Sequence, residues 1–595
     1  MLYILTEGID NNMIKKVFGQ MIATQIISSM TVMLCMLVDN IMIGRYLGVD
    51  SMTAYGFSTP VLLVFAALGS MLSAGIQVVC GKTMGVGDSK GTNRCFSTSA
   101  AVTFAISAVG VLVVILFTSP LCTLIGAGEN TPDNAVFGLT RDYLRGFIIG
   151  APAFMFAQIM VPYMQISGSR VRLVTAVIVM TVGDIVFDIL NVFVLKWGTF
   201  GMGLASSLSY FIAFFIGVGY FFRKDCLFHF KWKLVRLPTL GKIFKAGVPT
   251  LVNQVSLVLL TLVLNKLLDD RGGHTAVAAY TAISTTGNIC YSFSTGPAAV
   301  ALTLSSMLYM DADRSSLQKL VRTMIYHATV ICLAVTAVVF LACKPMISLF
   351  TEDPEVRRMA VRGMRLFVLS LTPCSINTAF KNYYQGIDRS RFTQLISIMQ
   401  NFSFTALSAL ILSNFMGVKG IWLGFLCGEI LTIIVITIIV NIKYGKPSLS
   451  AEAFSMLPKD FGAPEEDCFE IQIVSEEQII PASQTAQDFC TMQGLDDHTG
   501  KLISLLLEEL SYNIVKYGFT DGKDKNLIEI RIVITGGKPT LRILDNCANF
   551  DPVDYLKMHS DDDPTAHIGL KMIMKLVSSA NYVNSLGLNF LTLTL

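Results

Sequence analysis

The stretch GQMIATQIISSMTVMLCMLVDNIMIG, residues 19–44, is apolar or mildly polar throughout, and Asp39 is its only charged residue. A helix rises about 1.5 Å per residue, so this stretch covers roughly 39 Å, enough to cross a lipid bilayer with some tilt. A carboxylate at that depth is costly unless it faces a cavity or a partner, so it usually has a function. The stretch therefore predicts a transmembrane helix that carries a functional acid.

The composition extends this prediction to most of the chain. Of the 595 residues, 53% are hydrophobic and only 15% are charged, and the net charge is +3. Soluble proteins have about a quarter of their residues charged, so the chain is predicted to be a polytopic membrane protein. The small net charge argues against nucleic acid as a partner. The cysteines show neither metal-site spacing nor a disulfide framework.

About twelve runs are long and apolar enough to span a bilayer. They lie at 17–44, 52–80, 95–118, 137–165, 172–196, 200–222, 245–268, 275–308, 320–343, 359–384, 392–414 and 418–441. Short motifs recur at an offset of about 220 residues, for example Ala151-Pro152 with Thr372-Pro373 and Ser169-Arg170 with Ser390-Arg391. Six spans per half bring the chain back to its starting side, which predicts two parallel halves facing a central cavity.

The predicted organisation is an α-helical membrane protein of twelve transmembrane helices in two parallel six-helix halves, followed by a C-terminal α/β sandwich. Its boundaries are a first half at 1–222, a link at 223–244, a second half at 245–445, a linker at 446–464 and a domain at 465–595. Lys and Arg concentrate on one set of breaks, including the link, and this side is expected to be cytoplasmic. The prediction is a multi-pass plasma-membrane protein with both termini in the cytoplasm and the lipid bilayer as a partner.

Two more acids lie inside the fifth span, where Asp184 and Asp188 are four residues apart and share one helix face. Two carboxylates that close cannot both be ionised cheaply at low dielectric, so one is expected to hold a proton, which suits a proton carrier. The matching span of the second half has no acid. The alternative is that these acids only stabilise the structure, by capping a broken helix or by pairing with a neighbouring side chain. Glu429 and Lys381, in the second half, are weaker candidates because Lys381 lies near a span end.

Three motifs carry a resemblance to a known family: VDNIMIGRYLG at 38–48, GKTMGVGDSKG at 81–91 and GDIVFDILNVFVLKWGTFGMGLASSLS at 183–209. With the two halves, they make residues 10–445 similar to the multidrug and toxic compound extrusion (MATE) family. The resemblance implies an antiporter that exports small amphipathic cations, such as drugs or metabolites, in exchange for H⁺ or Na⁺. It implies that Asp39 and Asp188 are the first-helix and fifth-helix acids, while Asp184 stands where relatives often have Asn.

The same resemblance bears on the coupling ion. Some relatives use a seventh-helix acid for Na⁺, whereas the interior of this span offers only Asn253, Gln254 and Asn265. This favours H⁺, with Na⁺ as the alternative. Another function open to the wider superfamily is a flippase for lipids or lipid-linked oligosaccharides. Such a protein would favour a cationic cavity for pyrophosphate, and this first half is acidic.

Beyond the linker, the sequence predicts strands at 468–474, 526–535, 539–545 and 590–595 and helices at 500–517 and 568–579. The region resembles the ATP-binding domain of histidine kinases and gyrases, most closely its anti-sigma-factor kinase branch. In EELSYN, Asn513 matches the ligand of the Mg²⁺ of Mg-ATP, and Glu509 matches the catalytic base or water-orienting residue. Asp545 would accept the adenine amino group, and Gly569 begins a helix whose amides face phosphate. A lid would open at 549–552.

Two departures from that family qualify the nucleotide prediction. Cys547 stands where relatives have Gly, and His567-Ile568-Gly569 replaces a pair of glycines. ATP binding is therefore favoured over hydrolysis, and the alternative is a sensor that keeps only the fold. The chain has no G-x-x-x-x-G-K-[ST] motif, so the domain is expected to regulate transport or recruit a cytoplasmic signalling protein. A membrane sensor that signals through this kinase-like domain is the remaining alternative.

Overall fold

The structure is a computed structural model, which describes residues 13–85, 88–125, 127, 135–167, 169–221, 226–310, 312–348, 353–445, 447–519, 526–535, 538–548, 551–552, 568–585 and 588–595. These residues form a long helical part and a small C-terminal α/β domain. The helices of the first part are α1 (Met13–Met42), α2 (Val49–Gly85), α3 (Ser89–Leu116), α4 (Thr118–Leu124), α5 (Ala135–Ile166), α6 (Arg170–Leu190), α7 (Gly198–Phe221), α8 (Leu237–Met310), α9 (Arg314–Ser348), α10 (Pro354–Val368), α11 (Leu371–Gly386), α12 (Ser390–Ile398), α13 (Phe404–Met416), α14 (Val418–Tyr444) and α15 (Ala451–Ser455).

Many of these helices suit a bilayer. Among the described residues, nine helices are long and apolar enough to cross a membrane, or ten if α10 and α11, bent by 47° at a short break, form one span. Their outward faces are apolar too: on α3, Phe104, Leu112 and Leu116 are exposed. Lipid covers such side chains, while the helical backbone satisfies its own hydrogen bonds. The prediction of a polytopic helical membrane protein is confirmed.

Glycines allow α5 and α7 to pack backbone against backbone. A Cβ on Gly203 would lie 2.4 Å from the carbonyl oxygen of Tyr143, and one on Gly146 would lie 2.3 Å from that of Phe200. The Ser207 hydroxyl donates to the Gly146 carbonyl at 2.8 Å. Small residues and hydroxyl bonds of this kind hold helices together in lipid, where apolar side chains alone give no preference for another helix.

Turns of positive φ separate several spans. The helix α8 consists of two segments that meet at Gly273, where φ is 60°, and this lies within the predicted break between the seventh and eighth spans. Gly198 and Gly417 are 219 residues apart, close to the offset of the sequence repeat, and have φ of 58° and 57°. Gly198 begins α7, and Gly417 directly precedes α14. These backbone conformations suit glycine because it has no Cβ. The same local chemistry therefore recurs at matched places in the chain.

The first half packs through α2 against α8, which begins within the predicted link at Leu237 and continues into the second half. The Ser306 hydroxyl donates to the Gln77 carbonyl at 3.1 Å, and a Cβ on Gly75 would lie 2.2 Å from the carbonyl oxygen of Ile243. An ion pair between Lys82 and Asp388 joins the two parts at the same end of the molecule. The two parts therefore touch each other at this end, which we name the sealed end.

The C-terminal domain contains the strands β1 (Cys468–Ile473), β2 (Ile528–Thr535), β3 (Lys538–Asp545), β4 (Ser579–Ser585) and β5 (Leu588–Thr594). They form an antiparallel sheet in the order β1-β2-β3-β5-β4. Helices α16 (Ile479–Met492), α17 (Asp497–Asn513) and α18 (Ile568–Leu576) cover one face, around buried Ile503, Leu507 and Ile543. The helix α16 and the strand β4 were both absent from the prediction. The strand β4 has the polar sequence SANYVNS and pairs only with β5 at an edge.

The predicted linker is packed against the membrane helices. Ser450 caps α15, whose Ala451, Ala453 and Ser455 are at most 1% exposed. The Tyr384 hydroxyl donates to the Phe454 carbonyl at 2.7 Å. Residues 450–456 therefore form a buried strap between α14 and the C-terminal domain.

Candidate functional site

The three intramembrane acids of the first half meet in one place. Asp39 lies on α1 near its end, and Asp184 and Asp188 lie one turn apart on α6, which packs along α1. Their exposed fractions are 9%, 4% and 0% respectively. The Asp39 carboxyl group faces both of the others closely enough for direct electrostatic interaction. The prediction of a shared face for Asp184 and Asp188 is consistent with this arrangement.

Several oxygens of this acidic cluster have no partner. The Oδ1 atoms of Asp39, Asp184 and Asp188 and the Oδ2 atom of Asp188 are buried without a hydrogen bond. Among the residues that the structure describes, no Lys, Arg or His forms an ion pair with any of the three. A buried carboxylate without compensation is strongly destabilised, so the cluster favours either a bound proton or a bound cation.

Polar side chains that the sequence reading overlooked surround the cluster. The Cys35 thiol donates to Thr181 Oγ1 at 3.3 Å, and Ser209 lies close enough to Asp184 to interact with its carboxyl group. Tyr55 interacts electrostatically with Asp39 and lies edge-on to Tyr143, with ring centroids 5.3 Å apart. Cys35 and Thr181 precede Asp39 and Asp184 by one turn on the same helices. Tyr55, Tyr143 and Ser209 come from three other helices, so no spacing in the sequence relates them to the cluster.

Wide helical turns occur beside the polar sites. The π-helical segment Ile43–Leu47 begins four residues after Asp39, and the segment Asn191–Leu195 begins three residues after Asp188. A third, Met399–Ser403, contains polar residues of the second half. Such turns are rare and are frequent at functional sites, because an inserted residue redirects nearby side chains.

The second half holds a polar network of different character. Glu429 accepts from Asn377 Nδ2 at 2.7 Å and from Gln400 Nε2 at 3.3 Å, and all three are buried. Lys381 donates to Asn253 Oδ1 at 2.6 Å and interacts electrostatically with Glu429. This carboxylate therefore has amide donors and a nearby cation, which the acidic cluster lacks.

The predicted nucleotide residues of the C-terminal domain lie on neighbouring elements. Asn513 Nδ2 donates to Glu509 Oε1 at 3.2 Å on α17, and Asp545 ends β3. The loop after Asp545 contacts the residues after Asn513, through a hydrogen bond from the Ala548 amide to the Gly518 carbonyl at 3.4 Å. Gly569 is the second residue of α18, which packs on α17. Asn549, Phe550 and His567 lie outside the described residues.

This donor set suits Mg-ATP. Asp545 is 4% exposed, and burial raises the pKa of its carboxyl group. Its Oδ1 accepts from the Cys547 amide at 2.9 Å and from Asn589 Nδ2 at 2.7 Å, so the carboxyl group is held in one orientation. Asn513 and Glu509 supply oxygen atoms, the ligands that Mg²⁺ prefers. Cys547 lies close to Gly518, so the cysteine in place of glycine is accommodated at this turn.

The other face of the sheet docks on the turn between α8 and α9. Arg531 of β2 pairs with Asp313 in this turn and lies 3.7 Å from Glu470, while Arg542 of β3 lies 3.5 Å from Asp313. Lys319 of α9 pairs with Glu470 at 3.1 Å. The side chains of Asp313, Arg531 and Arg542 are at most 12% exposed. The sheet thus carries predicted nucleotide residues on one face and a buried ionic interface on the other.

Together these features define a polytopic membrane transporter with a fused ATPase-like domain. A model of the MatE family matches residues 25–190 and 249–411, and the chain belongs to this family. A model of the histidine kinase-like ATPase domain matches residues 474–595. The chain is 22% identical over 411 residues to the multidrug export protein MepA of Staphylococcus saprophyticus, covering 67% of this chain and 88% of MepA. It is 20% identical over 404 residues to the probable multidrug resistance protein YoeA of Bacillus subtilis, covering 65% and 85%.

Solved structures share the fold of the helical part. An outward-facing multidrug resistance MATE transporter is similar at a TM-score of 0.66 and 21% identity, covering 71% of this chain and 94% of that one. A transporter of the same superfamily from Pyrococcus furiosus gives a TM-score of 0.66 at 20% identity, with coverage of 71% and 94%. Both likenesses concern the membrane part.

Proposed function

We propose that the protein is an H⁺-coupled antiporter that exports amphipathic cations across the plasma membrane, with twelve spans in two halves and both termini in the cytoplasm. The observation that carries this proposal is the acidic cluster of Asp39, Asp184 and Asp188, with its unpaired buried oxygens. The similarity to the multidrug export protein MepA supports the substrate class.

The mechanism is an exchange of charge partners during alternating access. With the cluster ionised, a cationic substrate supplies the missing counter-charge, and aromatic rings such as Tyr55 and Tyr143 favour its organic surface. Protons taken up on the outer side neutralise the carboxylates, so the substrate loses its electrostatic partner and leaves. The exchange needs only that the two conformations differ in their affinity for protons and substrate.

One observation supports H⁺ over Na⁺. In the second half, the Asn253 oxygen already accepts from Lys381 and, at 2.5 Å, from Asn401. It is therefore occupied by donors and poorly placed to serve as a sodium ligand.

The test is dye export in everted vesicles under separate H⁺ and Na⁺ gradients. Asp39→Asn and Asp188→Asn each remove a titratable group while keeping its shape, so H⁺-driven export of an ethidium-like cation should fall at least about tenfold. Asp142→Asn is the matched control, because this acid is half exposed and pairs with Arg141. Wild-type export by either cluster variant under a pH gradient would refute the proposal.

We further propose that the C-terminal domain binds Mg-ATP and regulates transport by holding the sealed end closed. Its docking turn, around Asp313, follows the end of α8, where Ser306 contacts Gln77 of the first half. Leu304 and Leu308 of the same helix line the interface with the domain. One helix end therefore touches both the other half of the transporter and the docked domain, so a docked domain opposes opening at this end.

A further inference from the structure

Five basic side chains share one cavity in the second half, at the end of α9 and along α10. The cavity has a volume of about 510 Å³ and is lined by Lys344, Arg357, Arg358, Arg362 and Arg365. The last three are four and three residues apart, so they follow one face of α10. The opposite face of α10 is buried through Ala360, Gly363, Met364 and Val368.

This basic cavity lies on the far side of the bilayer from the C-terminal domain. Helix α9 begins at Arg314, whose guanidinium donates to the Phe461 carbonyl at 3.0 Å beside that domain. The helix has 35 residues and ends at Ser348, which lines the cavity. At about 1.5 Å per residue it covers roughly 52 Å, more than the thickness of a bilayer including its headgroups. The cavity therefore sits at the level of the opposite headgroups.

Four of the five basic side chains of the cavity have no acidic partner among the described residues. Among the described residues, no carboxylate forms an ion pair with Lys344, Arg358, Arg362 or Arg365. The Nε atom of Arg365 is buried without a hydrogen bond, and its guanidinium lies 5.4 Å from the centre of the Phe340 ring, which fixes its plane. The adjacent Asp353 is engaged in capping α10.

The first half lacks this feature, so the transporter architecture does not require it. When Pro152 is aligned with Pro373 according to the repeat, apolar residues occupy three of the matched positions: Val136, Phe137 and Leu144. The position of Arg362 is matched by Arg141, which forms an ion pair with Asp142 at 3.5 Å. Lys and Arg are also disfavoured on the side of a membrane away from the cytoplasm.

We propose that the basic cavity is a binding site for a phosphate group. Guanidinium forks bind phosphate oxygens through paired charge-assisted hydrogen bonds, and three of them on one helix face converge on a single anion. The size of the cavity and its level in the membrane fit the headgroup of an anionic phospholipid. Free inorganic phosphate offers the same chemistry from solution.

The experiment measures thermal unfolding of the purified full chain against increasing phosphatidylglycerol in mixed micelles, with diacylglycerol as the phosphate-free lipid and inorganic phosphate as the soluble anion. The variant is Arg358→Gln/Arg362→Gln/Arg365→Gln. The charge-matched control is Lys459→Gln/Lys501→Gln/Lys575→Gln, which changes exposed residues of the cytoplasmic part. A ligand that binds only the folded state raises the unfolding temperature in proportion to its affinity.

We expect phosphatidylglycerol to stabilise the wild type and the control, with an apparent affinity at least about tenfold weaker in the arginine variant. The same pattern with inorganic phosphate would support the site and identify free phosphate as its ligand. Equal stabilisation of all three proteins, equal effects of diacylglycerol and phosphatidylglycerol, or no effect of either phosphate compound would overturn the proposal. If the triple variant does not fold, Arg362→Gln alone is compared with Lys501→Gln in the same assay.

Discussion

Single buried charges have different surroundings in the two halves of the helical part. Asp188 has two oxygens without a hydrogen bond, whereas Glu429 accepts from Asn377 and Gln400. An acid with permanent donors keeps one charge state through a cycle. An acid without them must gain and lose a partner, which is what coupling to a proton requires. For this reason we propose that protons are coupled to transport in the first half.

Asp545 allows the nucleotide hypothesis to be tested at one residue. Because this carboxyl group is held by Cys547 and Asn589, Asp545→Ala removes an oriented acceptor, and the affinity for Mg-ATP should fall at least about tenfold. Isothermal titration of the full chain measures this. Asp497→Asn, an exposed acid paired with Lys501 at 2.6 Å, is the control. Absence of heat from the wild type at millimolar Mg-ATP would contradict nucleotide binding.

Glu529 makes the docking interface sensitive to pH. Burial raises the pKa of this carboxyl group from 4.5 to about 7, and the charges of Glu470 and Asp313 add to the rise, while Lys319 lowers the pKa. The arginines Arg531 and Arg542 line the same interface.

The raised pKa means that the docked, folded state binds this proton more tightly than the unfolded state does. Stability of the domain should therefore fall as pH rises from about 4.5 to about 7. Glu529→Gln should flatten the pH dependence of the unfolding temperature over this window. An unchanged slope in the variant would show that other groups govern it.

At the scale of elements, the contact between α5 and α7 depends on glycine at one position and not at another. A Cβ on Gly203 would meet the Tyr143 carbonyl at 2.4 Å, whereas a Cβ on Gly219 of the same helix would meet nothing within 4 Å. We expect Gly203→Ala to lower the free energy of unfolding by about 1–3 kcal/mol, since overpacking forces the helices apart. Gly219→Ala should leave it unchanged or raise it by up to about 1 kcal/mol. Thermal unfolding in detergent compares the two, and equal effects would contradict the packing argument.

At the scale of the whole molecule, the buried ionic interface connects the C-terminal domain to the transporter. Asp313→Asn removes the carboxylate that Arg531 and Arg542 share, and breaking a buried pair of this kind costs about 3–5 kcal/mol. The domain should then undock, the segment around 458–461 should become sensitive to protease, and export should become faster because the sealed end is released. Asp497→Asn again serves as the control. Undocking with an unchanged export rate would show that the domain does not regulate transport.

The sequence alone predicted the helical membrane class, the family resemblance and the order of strands and helices in most of the C-terminal domain. These features depend on local patterns: long apolar runs, alternating strands, and motifs such as VDNIMIG that stay contiguous in the chain. It also singled out Asp39, Asp184 and Asp188, because charge inside an apolar run is conspicuous. It could not predict β4, whose polar edge sequence carries no burial pattern.

Only the tertiary structure brought distant residues together. The tyrosines beside the acidic cluster, the amides around Glu429 and the arginines opposite Asp313 come from separate elements, and no spacing along the chain relates them. The burial of the strap, residues 450–456, was also not predictable from the sequence, which indicates a polar linker. The strap is buried because α15 packs against Tyr383 and Tyr384, whose hydroxyl groups donate to its carbonyls. Periodicity reports which face of an element is buried, whereas the partner on that face is decided by packing over the whole fold.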